Sequence, residues 1–349
     1  MSSKPKPKII LQGRLSHKLR SLAVLMRLSV RVASRRAWGK PLLARWSLAD
    51  EIGVLFTRAQ FQHAFALNDI VQGRAYLDSL YWRIGPPPKT SIRPAAEGQP
   101  KGHWFIPPAH TRDATMLYFH GGGYTCYCAV TRLFIAMLAE TLGLPIFAPD
   151  YRMIPEHPHP AQIDDGLAAY RFLLDQGVQP SRLIVGGDSA GGHLMLMTIA
   201  QLRGLSLPQP ALGIGLSPLT DTRPHGASLS GNDRYDILQS YMTQVFAGLL
   251  KGAAGVTDAQ LSPIDQDFRG AAPLYLQAGD KEILLDMIRD FAQAAQAQGA
   301  SVRLDVWPDM YHVFQYAGTY YPESQEALQR IGQAIDWALN PAAGDASCL

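Results

Sequence analysis

Charged residues are scarce in this chain of 349 residues, and acidic residues are absent from residues 1–45. Asp, Glu, Lys and Arg make up 17% of the chain and hydrophobic residues 47%, a composition that excludes a largely disordered protein. Residues 1–45 hold twelve of the 32 Lys and Arg residues, which leaves 20 basic and 29 acidic residues elsewhere. Because the positive charge is local and no recognition motif accompanies it, we expect no nucleic-acid partner.

Cysteine is also rare, and its placement excludes a disulfide framework. The three cysteines are Cys126, Cys128 and Cys348, an odd number with two of them only one residue apart. We expect reduced thiols and a cytoplasmic protein. No second Cys/His cluster shows the spacing of metal ligands, so we expect neither a metal nor another cofactor.

No apolar run reaches the 18 or so residues of a membrane-spanning helix, so the sequence predicts no transmembrane segment. From residue 103 onward, short apolar runs alternate with helical patterns, which predicts a mostly parallel, doubly wound α/β sheet. The strand-like runs are 103–106, 115–119, 145–148, 183–185, 212–216, 274–277 and 302–306. The helical patterns lie near 130–142, 161–175, 190–203, 284–298 and 324–338.

Ser189 stands at the centre of a Gly-x-Ser-x-Gly sequence, residues 187–191. A strand-like run precedes it and a helical pattern follows, which is the strand–turn–helix context that exposes a nucleophilic hydroxyl above a sheet. The positive end of the following helix stabilises negative charge near the hydroxyl. The sequence therefore predicts Ser189 as the nucleophile of an acyl transfer.

The run His-Gly-Gly-Gly-Tyr at 120–124 predicts a loop whose backbone approaches a ligand closely. We expect the N–H groups of Gly122, Gly123 and Ala190 to form an oxyanion hole. We expect His120 to brace the loop rather than to act as a base. Four residues are candidates for the substrate pocket: His120, Gly121, Tyr124 and Asp188.

His312 follows the last strand-like run, where a general base is expected at the carboxyl end of a parallel sheet. The order nucleophile, acid, histidine requires a carboxylate between Ser189 and His312. Asp280, Glu282 and Asp286 all follow the preceding strand-like run, and chain order does not choose between them.

These segments resemble the hormone-sensitive-lipase group of α/β-hydrolases, the bacterial family IV esterases. The matching segments are HGGGY (120–124), DYRMIPEHPHPAQIDD (150–165), GDSAGG (187–192), GDKEILLD (279–286) and HVF (312–314). The resemblance implies Ser189 as nucleophile, His312 as base and Glu282 at the acid position, which most members fill with Asp. It also implies the α/β-hydrolase fold, with a helical cap built from the N-terminal segment and an insertion after the sixth strand.

We divide the chain accordingly. Residues 1–85 form a basic tail with cap or anchor helices, 86–340 the catalytic domain with a cap insertion at about 220–268, and 341–349 a C-terminal tail. The Pro- and Gly-rich residues 85–101 predict a loop between the cap segment and the main fold.

The basic helical pattern at 18–33 carries arginines at 20, 27 and 31, which share one helical face. Three interpretations stay open: a cap helix over the site, an amphipathic segment (residues 14–36) on an anionic membrane surface, or a cleaved targeting sequence.

We expect a serine carboxylester hydrolase that cleaves short-to-medium acyl esters, its small-molecule partners, through an acyl-enzyme. The alternatives are a hydrolase of lipid, steryl or acetyl esters docked on a membrane surface, or a catalytically silent ligand-binding protein of the same fold. Pairing of edge strands would make a homodimer.

Overall fold

The computed structural model describes residues 7–67, 69–252 and 255–340; the predicted tail 341–349, and residues 1–6 of the basic tail, lie outside the described residues. Within these ranges the strands are β1 (Lys8–Leu11), β2 (Leu80–Arg83), β3 (Ser91–Pro94), β4 (Gly102–Ile106), β5 (Thr115–Phe119), β6 (Ile146–Pro149), β7 (Leu183–Asp188), β8 (Leu212–Leu216), β9 (Leu274–Gly279) and β10 (Val302–Trp307). The helices are α1 (Leu15–Ala37), α2 (Leu48–Ala66), α3 (Ile70–Leu77), α4 (Ala129–Leu142), α5 (Ala161–Asp175), α6 (Ala190–Leu202), α7 (Ala227–Gly231), α8 (Ser240–Lys251), α9 (Asp258–Leu261), α10 (Leu285–Ala297) and α11 (Pro322–Leu339). Short 3-10 helices lie at Pro180–Arg182, Pro263–Asp265 and Phe314–Ala317.

Eight strands form one sheet in the order β10-β9-β8-β7-β5-β6-β4-β3. All neighbours from β10 to β6 are parallel, whereas β4 runs antiparallel to both β6 and β3. The central strands are buried along their whole length, as expected for parallel strands covered on both faces. The predicted mostly parallel sheet is therefore confirmed.

The prediction of a continuous loop at 85–101 is wrong, because it contains β3 (Ser91–Pro94). β3 pairs antiparallel with β4 at the edge of the sheet, and all four of its residues are exposed. A short exposed edge strand has no buried face, so it leaves no apolar alternation in the sequence. The antiparallel pair of β1 and β2 also has no counterpart among the predicted strands.

Helices cover both faces of the sheet. On one face α4 and α11 pack with apolar side chains such as Ile135, Leu138 and Ile331. On the other face α5, α6 and α10 contribute residues such as Leu167 and Leu194 to the larger core. Because the helices cover the two faces, the edge formed by the carboxyl ends of the parallel strands stays open, and this is where α/β proteins bind their ligands.

The N-terminal helices and the insertion lie together. Leu28 of α1 packs with Phe56 of α2, and Ser47 starts α2 with a capping box. The insertion contributes α7, α8 and α9, and Arg58 of α2 forms an ion pair with its Asp233, with nitrogen and oxygen 3.1 Å apart. Within the described residues no helix is long and apolar enough to cross a membrane.

Candidate active site

Ser189 lies between the end of β7 and the first residue of α6, in a backbone conformation that few non-glycine residues adopt. Its φ is 54° and its ψ is −118°. The turn is possible because Gly191 lies against the neighbouring strand: a Cβ there would overlap the carbonyl oxygen of Phe119. The backbone N–H of Ser189 donates to the carbonyl oxygen of Leu216 at 2.9 Å, which ties the turn to β8.

A chain of hydrogen bonds joins the serine to a histidine and a carboxylate. Nε2 of His312 lies 2.9 Å from Oγ of Ser189, and Nδ1 of His312 lies 3.1 Å from Oε2 of Glu282. Glu282 is fully buried, and its Oε1 accepts the backbone N–H of Gly279 at 3.0 Å. This second bond holds the glutamate side chain folded back toward the histidine. The structure thus brings together three segments that the sequence holds far apart.

The other two candidate acids, Asp280 and Asp286, accept hydrogen bonds from other groups. Oδ1 of Asp280 accepts the backbone N–H of Asp309 at 2.6 Å. Oδ2 of Asp286 accepts the backbone N–H of Ser228 at 2.8 Å. Of the three acids left open by chain order, Glu282 is the one that contacts His312.

The glycine loop lies beside the serine turn, and its form requires glycine. Gly122 has a φ of 112°, and a Cβ on it would overlap the carbonyl oxygen of Cys126. That close approach comes from a turn in which Gly122 accepts the N–H groups of Thr125 and Cys126 at 2.9 and 3.2 Å. In the described part of the chain, the N–H groups of Gly122, Gly123 and Ala190 are engaged in no hydrogen bond, and all three residues line the same cavity as Ser189.

His120 and Gly121, two of the four pocket candidates, are not among the residues that line the cavity of Ser189. The ring of His120 is stacked between Tyr127 and Tyr151, with centroid distances of 3.9 and 4.2 Å, behind the loop. Burial lowers the pKa of His120 to about 3, so the imidazole is neutral. The N–H of Gly121 donates to Oδ1 of Asp188 at 2.9 Å and is thereby already engaged. Both residues fix the shape of the loop.

Tyr124 and Asp188 do line the cavity, and each is fixed by buried hydrogen bonds. The hydroxyl of Tyr124 lies 2.6 Å from Nδ1 of His193. The carboxylate of Asp188 accepts the hydroxyls of Tyr118 and Tyr316 at 2.8 and 3.0 Å. Because Asp188 also accepts the N–H of Gly121, it links the serine turn to the glycine loop.

Sequence reasoning missed Asp236, a fully buried carboxylate of the insertion. Its Oδ1 accepts the backbone N–H of His312 at 2.9 Å, and its Oδ2 accepts that of Ile283 at 2.8 Å. Nearby, Asn232 donates to the backbone carbonyl oxygen of Glu282 at 3.0 Å. No motif marks either residue, because both act on backbone groups.

The charges around His312 favour its protonated form. Burial opposes protonation, but the hydrogen bond with Glu282 and the charge of Asp236 outweigh it, so the pKa of His312 is raised above the ordinary 6.5. Glu282 and Asp188 add to this effect through their charges. Burial raises the pKa of Asp236 itself to about 6. The imidazole is thus prepared to accept a proton.

A cavity of about 560 Å³ extends from Ser189 toward the N-terminal helices and the insertion. Its walls are mostly apolar and come from α1, α2, the insertion and the segment that carries His312. Examples from three of these walls are Leu25, Phe56, Phe61, Leu238 and Phe246. This volume and lining are typical of a pocket for a small apolar ligand with one polar reacting group.

Known proteins match this chain over most of its length. A family model described as alpha/beta hydrolase fold matches residues 116–316. The acetyl-hydrolase of Streptomyces hygroscopicus is 33% identical over 256 residues, which cover 72% of this chain and 84% of that protein. The esterase of Acinetobacter venetianus is 31% identical over 266 residues, which cover 74% of this chain and 86% of that protein.

A solved esterase structure is also similar to this chain. An esterase from the bacterial hormone-sensitive lipase family superposes with a TM-score of 0.70 at 27% identity, over 94% of this chain and 100% of that one. The fold and the match to the family model define the class of the protein, an α/β-hydrolase. Within this class the chain belongs to the bacterial hormone-sensitive-lipase group of esterases, as its motifs predicted, and it is an ester-hydrolysing enzyme.

Proposed function

We propose that the protein is a serine carboxylester hydrolase that cleaves short-to-medium acyl esters through an acyl-enzyme intermediate. The observation that carries the proposal is the unbroken chain of hydrogen bonds from Ser189 through His312 to Glu282, at the end of an apolar cavity. A protein that only binds a ligand has no need of this arrangement, so the geometry favours turnover over silent binding.

In the first half of the reaction, Oγ of Ser189 attacks the ester carbonyl carbon while Nε2 of His312 takes the hydroxyl proton. The carbonyl oxygen becomes an oxyanion, which the N–H groups of the glycine loop and of Ala190 bind. One such donor contributes about 3 kcal/mol of transition-state stabilisation. When the tetrahedral intermediate collapses, His312 returns the proton to the leaving alkoxide, and the alcohol departs.

In the second half, water replaces the alcohol. His312 takes a proton from the water as its oxygen attacks the acyl carbon, and the same N–H groups bind the second oxyanion. Collapse breaks the bond to Oγ, His312 gives its proton back to Ser189, and the carboxylic acid leaves. Throughout, Glu282 orients the imidazole and stabilises its cationic form.

The substrate class follows from the cavity and the relatives. The aromatic ring of Phe246 lies directly over Gly123, where a Cβ would come within 2.6 Å of it. The cavity next to the oxyanion loop is therefore narrow, which favours small acyl groups. One relative, from Streptomyces hygroscopicus, is named an acetyl-hydrolase, in agreement with a small acyl group.

The experiment is hydrolysis of p-nitrophenyl esters from two to about sixteen acyl carbons by the full chain and by Ser189→Ala. We expect the largest kcat/KM at short-to-medium chains and a loss of at least about 10⁴-fold in Ser189→Ala. Activity of Ser189→Ala near that of the unaltered chain would overturn the mechanism. A preference for the longest chains would overturn the substrate class alone.

A further inference from the structure

The outer face of α1 carries an apolar stripe that the rest of the described chain leaves uncovered. Leu19, Met26 and Val30 are 57%, 63% and 71% exposed, and Leu15 at the start of the helix is 66% exposed. Their spacing of four, seven and four residues places all four on one side of a helix. The inward side is marked by buried Leu28, which packs with Phe56 of α2 and Leu80 of β2. Single exposed apolar residues are ordinary on a protein surface. An aligned series along one helix forms an apolar patch, and such patches are typical of interaction surfaces.

A row of arginines runs beside the stripe. Arg20, Arg27 and Arg31 are exposed, and their spacing of seven and four residues places them together along one edge of it. Within α1, the ion pairs of the described residues involve Arg35 and Arg36, which bind Glu51 of α2. The three exposed arginines take part in none. Among the residues that the structure describes, their positive charges therefore have no ion-pair partner.

Within residues 8–66, no exposed acidic side chain offsets this charge. Between residues 8 and 66 the acidic residues are Asp50 and Glu51, and both are buried. Asp50 accepts the hydroxyl of Tyr321 at 2.9 Å, and Glu51 is held by the ion pairs at the end of α1. The outer surface of the N-terminal segment is thus apolar and basic, although residues 46–349 carry more acidic than basic side chains.

The same helix forms part of the cavity wall. Leu25 and Ser29, on the side of α1 away from the arginine row, line the cavity that contains Ser189. Ile9 of β1 also lines it and is 43% exposed. The cavity wall thus reaches the protein surface beside α1.

We propose that the outer face of α1, defined by Leu15, Leu19, Arg20, Met26, Arg27, Val30 and Arg31, docks on an anionic phospholipid bilayer. A helix with an apolar stripe and a basic edge lies in the plane of the interface, with its apolar side chains among the acyl chains and its arginines at the phosphates. A second copy of this chain fits less well, because its α1 face carries the same exposed positive charges and offers no negative charge to pair with them. The helix docks and does not cross, since it lacks the apolar length to span the bilayer.

Docking has a consequence for the substrate, which rests on the proposed function. Esters dissolved in the bilayer would reach the cavity from the side where Leu25 and Ile9 form its wall. Binding to the bilayer itself needs no active serine. The Ser189→Ala variant therefore separates the two proposals, and we expect it to bind vesicles as well as the unaltered chain.

The test is co-sedimentation of the full chain with vesicles of phosphatidylglycerol and phosphatidylcholine in equal parts, and with vesicles of phosphatidylcholine alone. We expect binding to the anionic vesicles that weakens with added salt, and little binding to the zwitterionic ones. Replacing Arg20, Arg27 and Arg31 by Gln should weaken binding to the anionic vesicles by roughly a hundredfold. Turnover of dissolved p-nitrophenyl butyrate reports that each variant with an intact Ser189 is folded, and circular dichroism reports it for Ser189→Ala.

The matched control removes three exposed positive charges elsewhere: Lys89→Gln, Arg93→Gln and Arg171→Gln. We expect the control to bind like the unaltered chain. Equal weakening by the two triple variants would overturn the proposal, because net charge and not the α1 face would then drive binding. Equal binding to both kinds of vesicle would also overturn it.

A second pair of variants tests the apolar stripe. Met26→Ser with Val30→Ser should weaken vesicle binding by about tenfold or more, whereas Ile92→Ser with Leu205→Ser, exposed on other surfaces, should not. Sedimentation velocity without vesicles identifies the competing occupant. A dimer that Met26→Ser with Val30→Ser dissociates would make the face a contact between copies and overturn the proposal.

Discussion

Asp236 and His312 are 76 residues apart in the chain, and Oδ1 of Asp236 accepts the backbone N–H of His312 at 2.9 Å. The other oxygen of the same carboxylate holds Ile283, the residue after Glu282. One buried side chain of the insertion therefore fixes the loops that carry both partners of Ser189. The insertion forms a wall of the cavity and also holds the loops of Ile283 and His312 in place.

Asp236→Asn should lower kcat/KM by about tenfold or more, because an amide cannot accept both N–H groups as the carboxylate does. The ionised Asp236 also raises the pKa of His312, so its removal should move the acidic limb of the pH–rate profile to lower pH. If Asp236 had a purely structural role, Asp236→Asn would lower the rate without moving the acidic limb of the pH–rate profile. The measurement is kcat/KM for p-nitrophenyl butyrate across the pH range.

The matched control is Asp233→Asn in the same insertion. Asp233 pairs with Arg58 and accepts the backbone N–H of Ser240, and within the described residues it makes no hydrogen bond to the loops of Ile283 and His312. We expect its pH profile to keep the same acidic limb. If both variants shift the limb equally, long-range charge rather than the contact with His312 accounts for the effect.

Glu282→Gln should lower kcat by about 10³–10⁴-fold, because an amide neither selects the correct imidazole tautomer nor stabilises the imidazolium. Glu282→Asp should retain more activity than Glu282→Gln, since a carboxylate remains. Asp280→Asn serves as the comparison, and we expect it to stay within a few-fold of the unaltered chain. The acid assignment fails if Asp280→Asn is the more damaging change.

The pH dependence of the rate follows from His312, which must be neutral to take the proton of Ser189. Because its pKa is raised above 6.5, kcat/KM should rise with pH and reach half its plateau above pH 6.5. The same shift means that the folded protein binds this proton more tightly than the unfolded chain. His312 thus stabilises the fold below pH 6.5, and that contribution is lost as the pH rises through the raised pKa.

A pH–rate profile of kcat/KM at constant ionic strength measures the first effect. Denaturant unfolding of the unaltered chain and of His312→Ala across the same pH range measures the second. A midpoint of the pH–rate profile at or below pH 6.5 would contradict the raised pKa of His312.

Phe246→Ala should shift the acyl preference toward longer chains. Phe246 lies over Gly123 in the cavity and packs edge-on against Phe65, with ring centroids 5.1 Å apart. Removing the ring opens space beside the glycine loop. The ratio of kcat/KM for p-nitrophenyl octanoate to kcat/KM for p-nitrophenyl butyrate should therefore rise. The control is Val245→Ala, an exposed neighbour that does not line the cavity. An unchanged ratio in Phe246→Ala would show that the acyl chain of the substrate does not bind beside Phe246.

The sequence was most informative where function constrains the residues themselves. Ser189 and the glycine loop were found because a tight turn and a close backbone approach leave few alternatives to serine and glycine at those positions. The parallel strands were found because burial on both faces leaves continuous apolar runs. Chain order left the acid open, because the choice depends on how the loop after β9 folds back toward His312.

The sequence was least informative where a residue acts through backbone groups. Asp236 is one of many carboxylates until the insertion packs against the loops of Ile283 and His312. β3 is similar: four exposed residues become a strand only because the edge of β4 offers partners. Both features depend on contacts between distant segments, which periodicity does not record.

The most direct test of the account is the site at which a fluorophosphonate probe reacts. Such a probe phosphonylates a serine only when a base removes its proton and donors bind the developing oxyanion. We predict a single adduct, located by peptide mass spectrometry on Ser189 and strongly reduced in His312→Ala. An adduct on another residue, or persistent labelling of Ser189→Ala, would contradict the account.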